Sequence, residues 1–303
     1  MNSLSKILVN ITQEQDKYLL PEKAIRLAQA LSAKIEFFKC GYQPHYSSMN
    51  LLGNDILEKL QHNRLRDLEG SLNELLATLK KDYDNLSVDV AWDRGIAEGL
   101  LTKVERSNPD LVLHEVAEHP HLLHRLLVPH DWQILRECMA PLMLCKSKPW
   151  PERIRIVAAV DPFHAHDHAA LMDQKILNEA SLLAQVLGAE LHIFHSYVVF
   201  PQSAIFDDSL MSNFKTLQYQ VTSEHQAGVE RLVNGFDPTI DASCIHVVEG
   251  EVHDVLPDFI KKQEINILVM GSLARGMLDR LLLGSSAERL LDAVACDVLV
   301  LKA

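Results

Sequence analysis

The sequence predicts two tandem α/β domains, each a five-stranded parallel sheet with helices on both faces, and three observations carry that prediction. First, the halves repeat: Asp110–Glu115 matches Asn266–Gly271, Cys138–Lys146 matches Val294–Lys302, and Ala28–Phe37 matches Ala184–Ile193, all at one offset of 156 positions. A repeat of that length is a duplicated domain, because solenoid repeats run only about 20 to 50 residues and stack in numbers. Second, short β-branched runs alternate with stretches of helical period, and strand–helix–strand succession needs right-handed crossovers and therefore a mainly parallel sheet. Third, 303 residues are enough for two units with a core each, at roughly 100 to 200 residues per domain.

In the first half, Lys6–Ile11, Lys34–Cys40, Leu86–Ala91, Asp110–His114 and Pro141–Lys146 read as strands, being short apolar or β-branched runs. Helices are expected between them. The longest runs from about Asn54 to Tyr83, where Ile56, Leu60, Leu65, Leu68, Leu72, Leu75 and Leu79 recur every three to five positions and form a stripe facing a sheet. In the second half the strands are Arg153–Val160, Glu190–Tyr197, Ser243–Val248, Ile265–Met270 and Asp297–Leu301. Ser147–Glu152 carries two prolines, which continue neither a helix nor a central strand, so the domains are expected at 1–147 and 152–303.

Composition narrows the function classes. Net charge is −12, which opposes nonspecific association with DNA or anionic membranes, so neither nucleic acid nor membrane is expected as a partner. No apolar run approaches the roughly 20 residues of a membrane span. Met1–Val9 leads straight into a strand pattern without the regions of a secretory signal, so a cytoplasmic location is expected. The five cysteines are scattered and contain no Cys-x-x-Cys, which indicates neither a disulfide framework nor a zinc knuckle.

The chemistry concentrates after the fourth strand of the second half. Leu268–Glu288 combines a strand, Gly271 at its carboxyl end, a short loop, and Gly284-Ser285-Ser286 opening a helix. Gly284 lets backbone approach an anion, the two hydroxyls can donate to phosphate oxygens, and free N–H groups at a helix start favour negative charge. The carboxyl edge of an open α/β sheet is also where ligands bind. Arg275 beside the loop could pair with a phosphate, although an exposed arginine is more often a solvated surface residue.

These residues resemble the nucleotide-binding motif of the universal stress protein family, Gly-x-x-Gly, nine residues, then Gly-Ser or Gly-Thr, with Gly271, Ala274, Gly284 and Ser285 on its four positions. The spacing is intact, but Ala274 replaces one glycine, and its methyl group can crowd the phosphates or forbid a positive φ. Asp131–Cys138 followed by Lys148–Glu152 is similar to the domain junction of the family's tandem members of the E type, so the resemblance covers nearly the whole chain. It implies Rossmann-like domains of the adenine nucleotide alpha hydrolase-like kind, with ATP or a related adenine nucleotide as ligand. It also implies Asp161 at the adenine or ribose, Met270 just before the glycine loop, an intrachain pseudo-dimer of the two domains, and compatibility with a further homodimer. From the residues alone, Asp161 is equally well a turn-forming aspartate before Pro162.

The first half departs from the motif: at the same offset Glu115, Glu118, Val128 and Pro129 stand opposite Gly271, Ala274, Gly284 and Ser285. Two carboxylates repel phosphate, and proline supplies no N–H, so this half is expected not to bind a nucleotide in this way. Asn10 reads as the replacement for the strand-end aspartate. Two histidine groups stand out: His114, His119, His121, His124 and His130, with Glu115 and Glu118 nearby, then His164, His166 and His168. Imidazoles are good zinc ligands, but alternating spacing in an irregular segment fixes no tetrahedral geometry, so zinc is the disfavoured cofactor. No nucleophile elbow, Walker lysine pattern or His-Glu-x-x-His occurs, which leaves slow ATP hydrolysis as the most catalysis expected. Asp207 and Asp208 read as complementing the dipole of a helix start. The sequence thus favours a stress-response regulator that senses an adenine nucleotide in its C-terminal domain. A nucleotide-independent interaction protein or apolar-ligand carrier is the alternative, and a zinc-binding stress protein is third.

Overall fold

The structure, a computed structural model, describes residues 4–12, 18–42, 54–116, 129–163, 167–199, 214–237, 239–271 and 290–302. It divides into two compact units whose boundary falls between Pro151 and Glu152.

Unit 1 contains β1 (Lys6–Asn10), α1 (Leu19–Leu31), β2 (Lys34–Gly41), α2 (Asn54–Leu79), β3 (Leu86–Trp92), α3 (Ile96–Ser107), β4 (Leu111–Glu115), α4 (Pro129–Glu137) and β5 (Leu142–Cys145). Its strands pair in parallel in the order β3-β2-β1-β4-β5. Unit 2 contains β6 (Arg155–Ala159), α5 (Asp167–Leu187), β7 (Glu190–Tyr197), α6 (Phe214–Phe236), β8 (Ile245–Glu249), α7 (Val252–Lys262), β9 (Ile267–Gly271) and β10 (Asp297–Leu301). Here the parallel order is β8-β7-β6-β9-β10, the same arrangement. Ile7, Leu8 and Val9 are all fully buried, as are Ile267, Leu268 and Val269. Successive residues of a strand face opposite sides, so both faces of the central strands are covered, as a parallel sheet requires.

All ten strands fall within two residues of their expected positions, and the duplication reaches the backbone dihedrals. Ser32 (φ 52°) closes α1 and Gly188 (φ 59°) closes α5; Asn108 (φ 43°) closes α3 and Glu264 (φ 52°) follows α7. Each pair is separated by the same offset as the sequence repeat. Left-handed residues of this kind are the usual way to end a helix, because the turned backbone satisfies its last carbonyls.

Two expectations change. Helix α2 presents Leu68, Leu72, Leu75, Leu76 and Leu79 to the core, whereas Ile56 is exposed and Leu60 and Leu65 are only half-buried. The leucine stripe is continuous in sequence, but only the carboxyl-terminal half of the helix is covered by the sheet. The counterpart of Asp161 also shifts. Ile11 N–H donates to the Phe38 carbonyl as Val160 N–H donates to that of Phe194, and Asn10 is paired with Phe38 as Ala159 is with Phe194. Asn10 therefore matches Ala159, and it is Thr12 that matches Asp161. Helix α5 has 21 residues against 13 in α1, so the offset of the later elements does not carry back to the first strand.

A buried ion network fixes α3 on the sheet of unit 1. Lys103, 5 % exposed, places its Nζ 2.9 Å from Glu36 Oε1 and 2.7 Å from Asp89 Oδ2. Lys6 and Arg106 add 3.4 and 2.5 Å contacts to the same two carboxylates. Burial pushes the Glu36 carboxyl up, but the Lys103 and Lys6 ammonium groups outweigh it and hold the acid below its ordinary 4.5. Its stabilising contribution is therefore present above that value and lost as pH falls through the depressed one. Lys103→Met is expected to destabilise unit 1 by about 3 kcal/mol at pH 7, since two partly buried carboxylates lose their shared cation. In urea unfolding the variant should also show a smaller loss of stability below pH 4.5 than the parent. A variant within 0.5 kcal/mol of the parent, roughly the size of an exposed pair, would show the network to be dispensable.

Candidate functional site

At the carboxyl edge of unit 2, β6 and β9 end side by side, since Ala158 stands opposite Val269 in their parallel register. Asp161 follows the end of β6, and Met270 and Gly271 close β9. These three sequence-predicted residues are thus gathered at one sheet edge. Ala274, Arg275, Gly284, Ser285 and Ser286 lie outside the described residues, as do His164, His166, Asp207 and Asp208.

Asp161 performs the turn-forming role open to it. Its Oδ1 accepts from the Phe163 N–H at 3.2 Å, two residues on, while its own N–H donates to Asp173 Oδ1 at 3.1 Å. Asp173, buried on α5, thereby ties the β6 turn to the helix and was not anticipated from sequence. The Asp161 side chain remains 64 % exposed, so the turn does not remove its carboxylate from solvent.

Gly271 has a local reason to lack a side chain. A Cβ there would lie 2.7 Å from Met172 Cγ and 2.9 Å from its Sδ, and Met172 is buried on α5. Gly250, at the end of β8, is needed for its backbone: φ is +141°, and a Cβ would meet Val255 Cγ1 at 2.4 Å. Its N–H donates to the Tyr197 carbonyl, closing the β7 and β8 ends together.

Sequence reading missed a second feature of this edge, an imidazole relay. His195 Nδ1–H donates to the Val160 carbonyl at 3.0 Å, and His225 Nδ1–H from α6 donates to His195 Nε2 at 2.8 Å. This direction is forced, because a carbonyl only accepts, which places the His195 proton on Nδ1 and leaves Nε2 as acceptor. His225 stacks on Tyr197 with ring centroids 4.6 Å apart and meets Phe163 at 4.2 Å. Tyr197 Oη is 2.8 Å from Thr222 Oγ1, a further tie to α6. Burial pushes both imidazoles below their ordinary 6.5, outweighing the opposite pull of Asp161 on each. The signal was present in the sequence: His195 is an inward position near the carboxyl end of a strand, where a polar ring needs a partner. The partner comes from a helix 30 residues away, which no spacing reveals.

A second imidazole pair, His192 and His246, lies farther from this edge, with Nδ1 and Nε2 3.0 Å apart. Phe259 of α7 packs against His246 with ring centroids at 4.7 Å. Burial lowers both of these imidazoles as well.

Unit 1 carries different chemistry at the matching edge. His114 and Glu115 occupy the positions of Met270 and Gly271, since Glu115 is paired with Cys145 as Gly271 is with Leu301. The Asn10 amide donates to His114 Nδ1 at 2.9 Å, and His114 Nε2–H donates to Asp131 Oδ1 at 2.8 Å. All three side chains are buried, and His130 Nε2 stands 3.2 Å from the same Asp131 oxygen. A relay that joins β1, β4 and α4 by filling the space below the edge is structural. His119, His121, His124, Glu118 and Val128 lie outside the described residues, as does the side chain of Pro129. Among the described residues no group of three His, Cys, Asp or Glu side chains is placed to hold a metal ion, and no helix is long and apolar enough to cross a membrane.

Comparison with known proteins agrees with this architecture. Residues 154–302 match the model of the universal stress protein family. The curated protein universal stress protein E of Salmonella typhi is 27 % identical over 305 residues, spanning 100 % of this chain and 95 % of its own. Its namesake in Escherichia coli K12 is 26 % identical with the same coverage, and the Haemophilus influenzae homologue is 24 % identical over 98 % of this chain and 96 % of its own. Among solved structures, the functionally unknown protein PA1789 of Pseudomonas aeruginosa superposes with a TM-score of 0.70 at 21 % identity, over 99 % of this chain and 92 % of its own. A universal stress protein from Archaeoglobus fulgidus gives 0.67 at 15 % identity, over 98 % of both chains. The second unit thus matches the universal stress protein family, and the whole chain is similar to proteins named universal stress protein E.

Proposed function

We propose that this chain is a stress-response regulator whose second unit binds one adenine nucleotide and whose first unit does not. The observation that supports it most is the convergence of Asp161, Met270 and Gly271 at the carboxyl edge where β6 and β9 end together. That edge is the ligand-binding side of an open parallel sheet. In this reading Asp161 faces the adenine or ribose, and Gly284, Ser285 and Ser286 with the adjoining helix start hold the phosphates, assisted by Arg275. Ala274 weakens the phosphate contacts. Turnover is slow at most, so the bound state itself is the signal. In unit 1, a carboxylate at Glu115 and a buried Asn10–His114–Asp131 relay take the corresponding places and disfavour phosphate.

Calorimetric titration of the full chain with ATP tests the reading. One site of modest affinity is expected per chain, lost in Gly284→Val, tightened in Ala274→Gly, and unchanged in Glu115→Gln. No heat and no thermal shift with about 1 mM ATP would sink it, because a ligand well above its Kd must stabilise the native state. That outcome would promote a role in carrying an apolar ligand or docking a protein.

A further inference from the structure

We infer that His225 selects the nucleobase, accepting a hydrogen bond from an exocyclic amino group and so favouring adenine over a base that carries a carbonyl in its place. The inference rests on the reading that a nucleotide lies beside Asp161, and it adds a specificity-determining residue to that site.

The argument follows protons along the relay. The Val160 carbonyl accepts from His195 Nδ1–H, so His195 Nε2 offers a lone pair, which the His225 Nδ1–H takes up. A neutral imidazole carries one N–H, so the relay leaves His225 Nε2 as an acceptor. His225 makes no other hydrogen bond among the described residues and is half-buried, so this lone pair is held at the boundary of the unit. Burial favours the neutral form of both rings, which keeps the direction of the relay at neutral pH.

The surroundings suit a flat ring. Asp161 is 3.9 Å from His195 Nδ1, which sets the relay beside the residue proposed to face the base. Phe163, two residues beyond Asp161, is 39 % exposed, a large aromatic surface next to His225. Its position is fixed by the helix: a Cβ at Gly228 would lie 2.5 Å from Phe163 Cζ, so α6 carries glycine where the ring rests. Aromatic faces stack on any base and do not discriminate, whereas a fixed acceptor does. Adenine presents an amino group to it. Hypoxanthine presents a carbonyl oxygen, and two acceptors facing each other leave both unpaired.

Titrations of the full chain with ATP and with ITP at pH 7.5 test this. Wild type is expected to prefer ATP about ten-fold, the scale of one hydrogen bond gained or left unmade. His225→Phe keeps the aromatic stack and removes the acceptor, so it should bind both nucleotides with a ratio near one. His225→Gln, whose amide can donate to His195 and accept from the base, should recover part of the preference. Equal affinities in wild type, or a preference that survives in His225→Phe with an unchanged melting curve, would overturn the inference while leaving nucleotide binding intact. No binding of either nucleotide would instead overturn the underlying reading, and the assignment of His225 with it.

Discussion

Replacing His114 by alanine is expected to lower the melting temperature of unit 1 by about 10 °C, since a loss near 3 kcal/mol shifts a domain of this size by roughly 2 to 4 °C per kcal/mol. The imidazole is fully buried and joins three elements, donating to Asp131 on α4 while accepting from Asn10 on β1. Its loss leaves a buried carboxylate with a weaker partner and a buried amide with none on that side. Orphaned neutral groups cost about 1 to 3 kcal/mol each and charged ones more. The deletion also opens a void of ring size in the layer between sheet and helix. Differential scanning calorimetry should resolve the shift, and ATP titration of the same variant should be unchanged, because the relay belongs to the unit proposed not to bind nucleotide. A shift below about 2 °C, less than one hydrogen bond is worth in a domain of this size, would mean that the relay fills space without holding the elements together.

The strands and their order were legible in sequence because each is a short apolar run bounded by polar turns, and because the run Asp110–Glu115 has an echo at Asn266–Gly271. Periodicity reports what a segment can bury, not how far its partner extends. That is why the leucine stripe of α2 promised burial at Ile56, which lies on the uncovered half of the helix. Repeat alignment fails for a related reason. The offset holds over Ala28–Phe37 but not across the amino-terminal turns by which α5 exceeds α1, and only the hydrogen bonds of Ile11 and Val160 show that Thr12, not Asn10, matches Asp161.

The site was legible where it follows the chain and hidden where it crosses it. Asp161 and Gly271 are strand-end residues, and strand ends can be counted. Asp173, His195, Tyr197 and His225 meet only through the packing of α5 and α6 against the sheet. The histidines that drew attention by clustering in sequence lie mostly in segments outside the described residues, whereas His195 and His225, which form the imidazole relay, stand 30 residues apart in the chain.

The reason for the glycine at 271 can be decided by a pair of substitutions. Gly271→Ala is expected to destabilise unit 2 by about 2 kcal/mol, the ordinary cost of one methyl too many in a filled site. The added Cβ would meet Met172 Cγ and Sδ at 2.7 and 2.9 Å, closer than such contacts allow, and Ile176 Cδ1 at 3.4 Å. Met172 is buried, so its side chain cannot swing into solvent without giving up its own packing. In a Met172→Ala background the space is open, and the same change at 271 should cost less than about 0.5 kcal/mol, a coupling of roughly 1.5 kcal/mol between touching residues. Nucleotide affinity separates packing from phosphate approach. If the glycine serves Met172, ATP binding weakened in Gly271→Ala returns in the double variant to that of Met172→Ala alone. A double variant that regains stability yet still binds ATP weakly would assign Gly271 to the phosphates directly. The first outcome is expected, because the packing contact accounts for the missing side chain by itself. It leaves Gly284, with its two following serines, as the part of the motif on which phosphate binding depends.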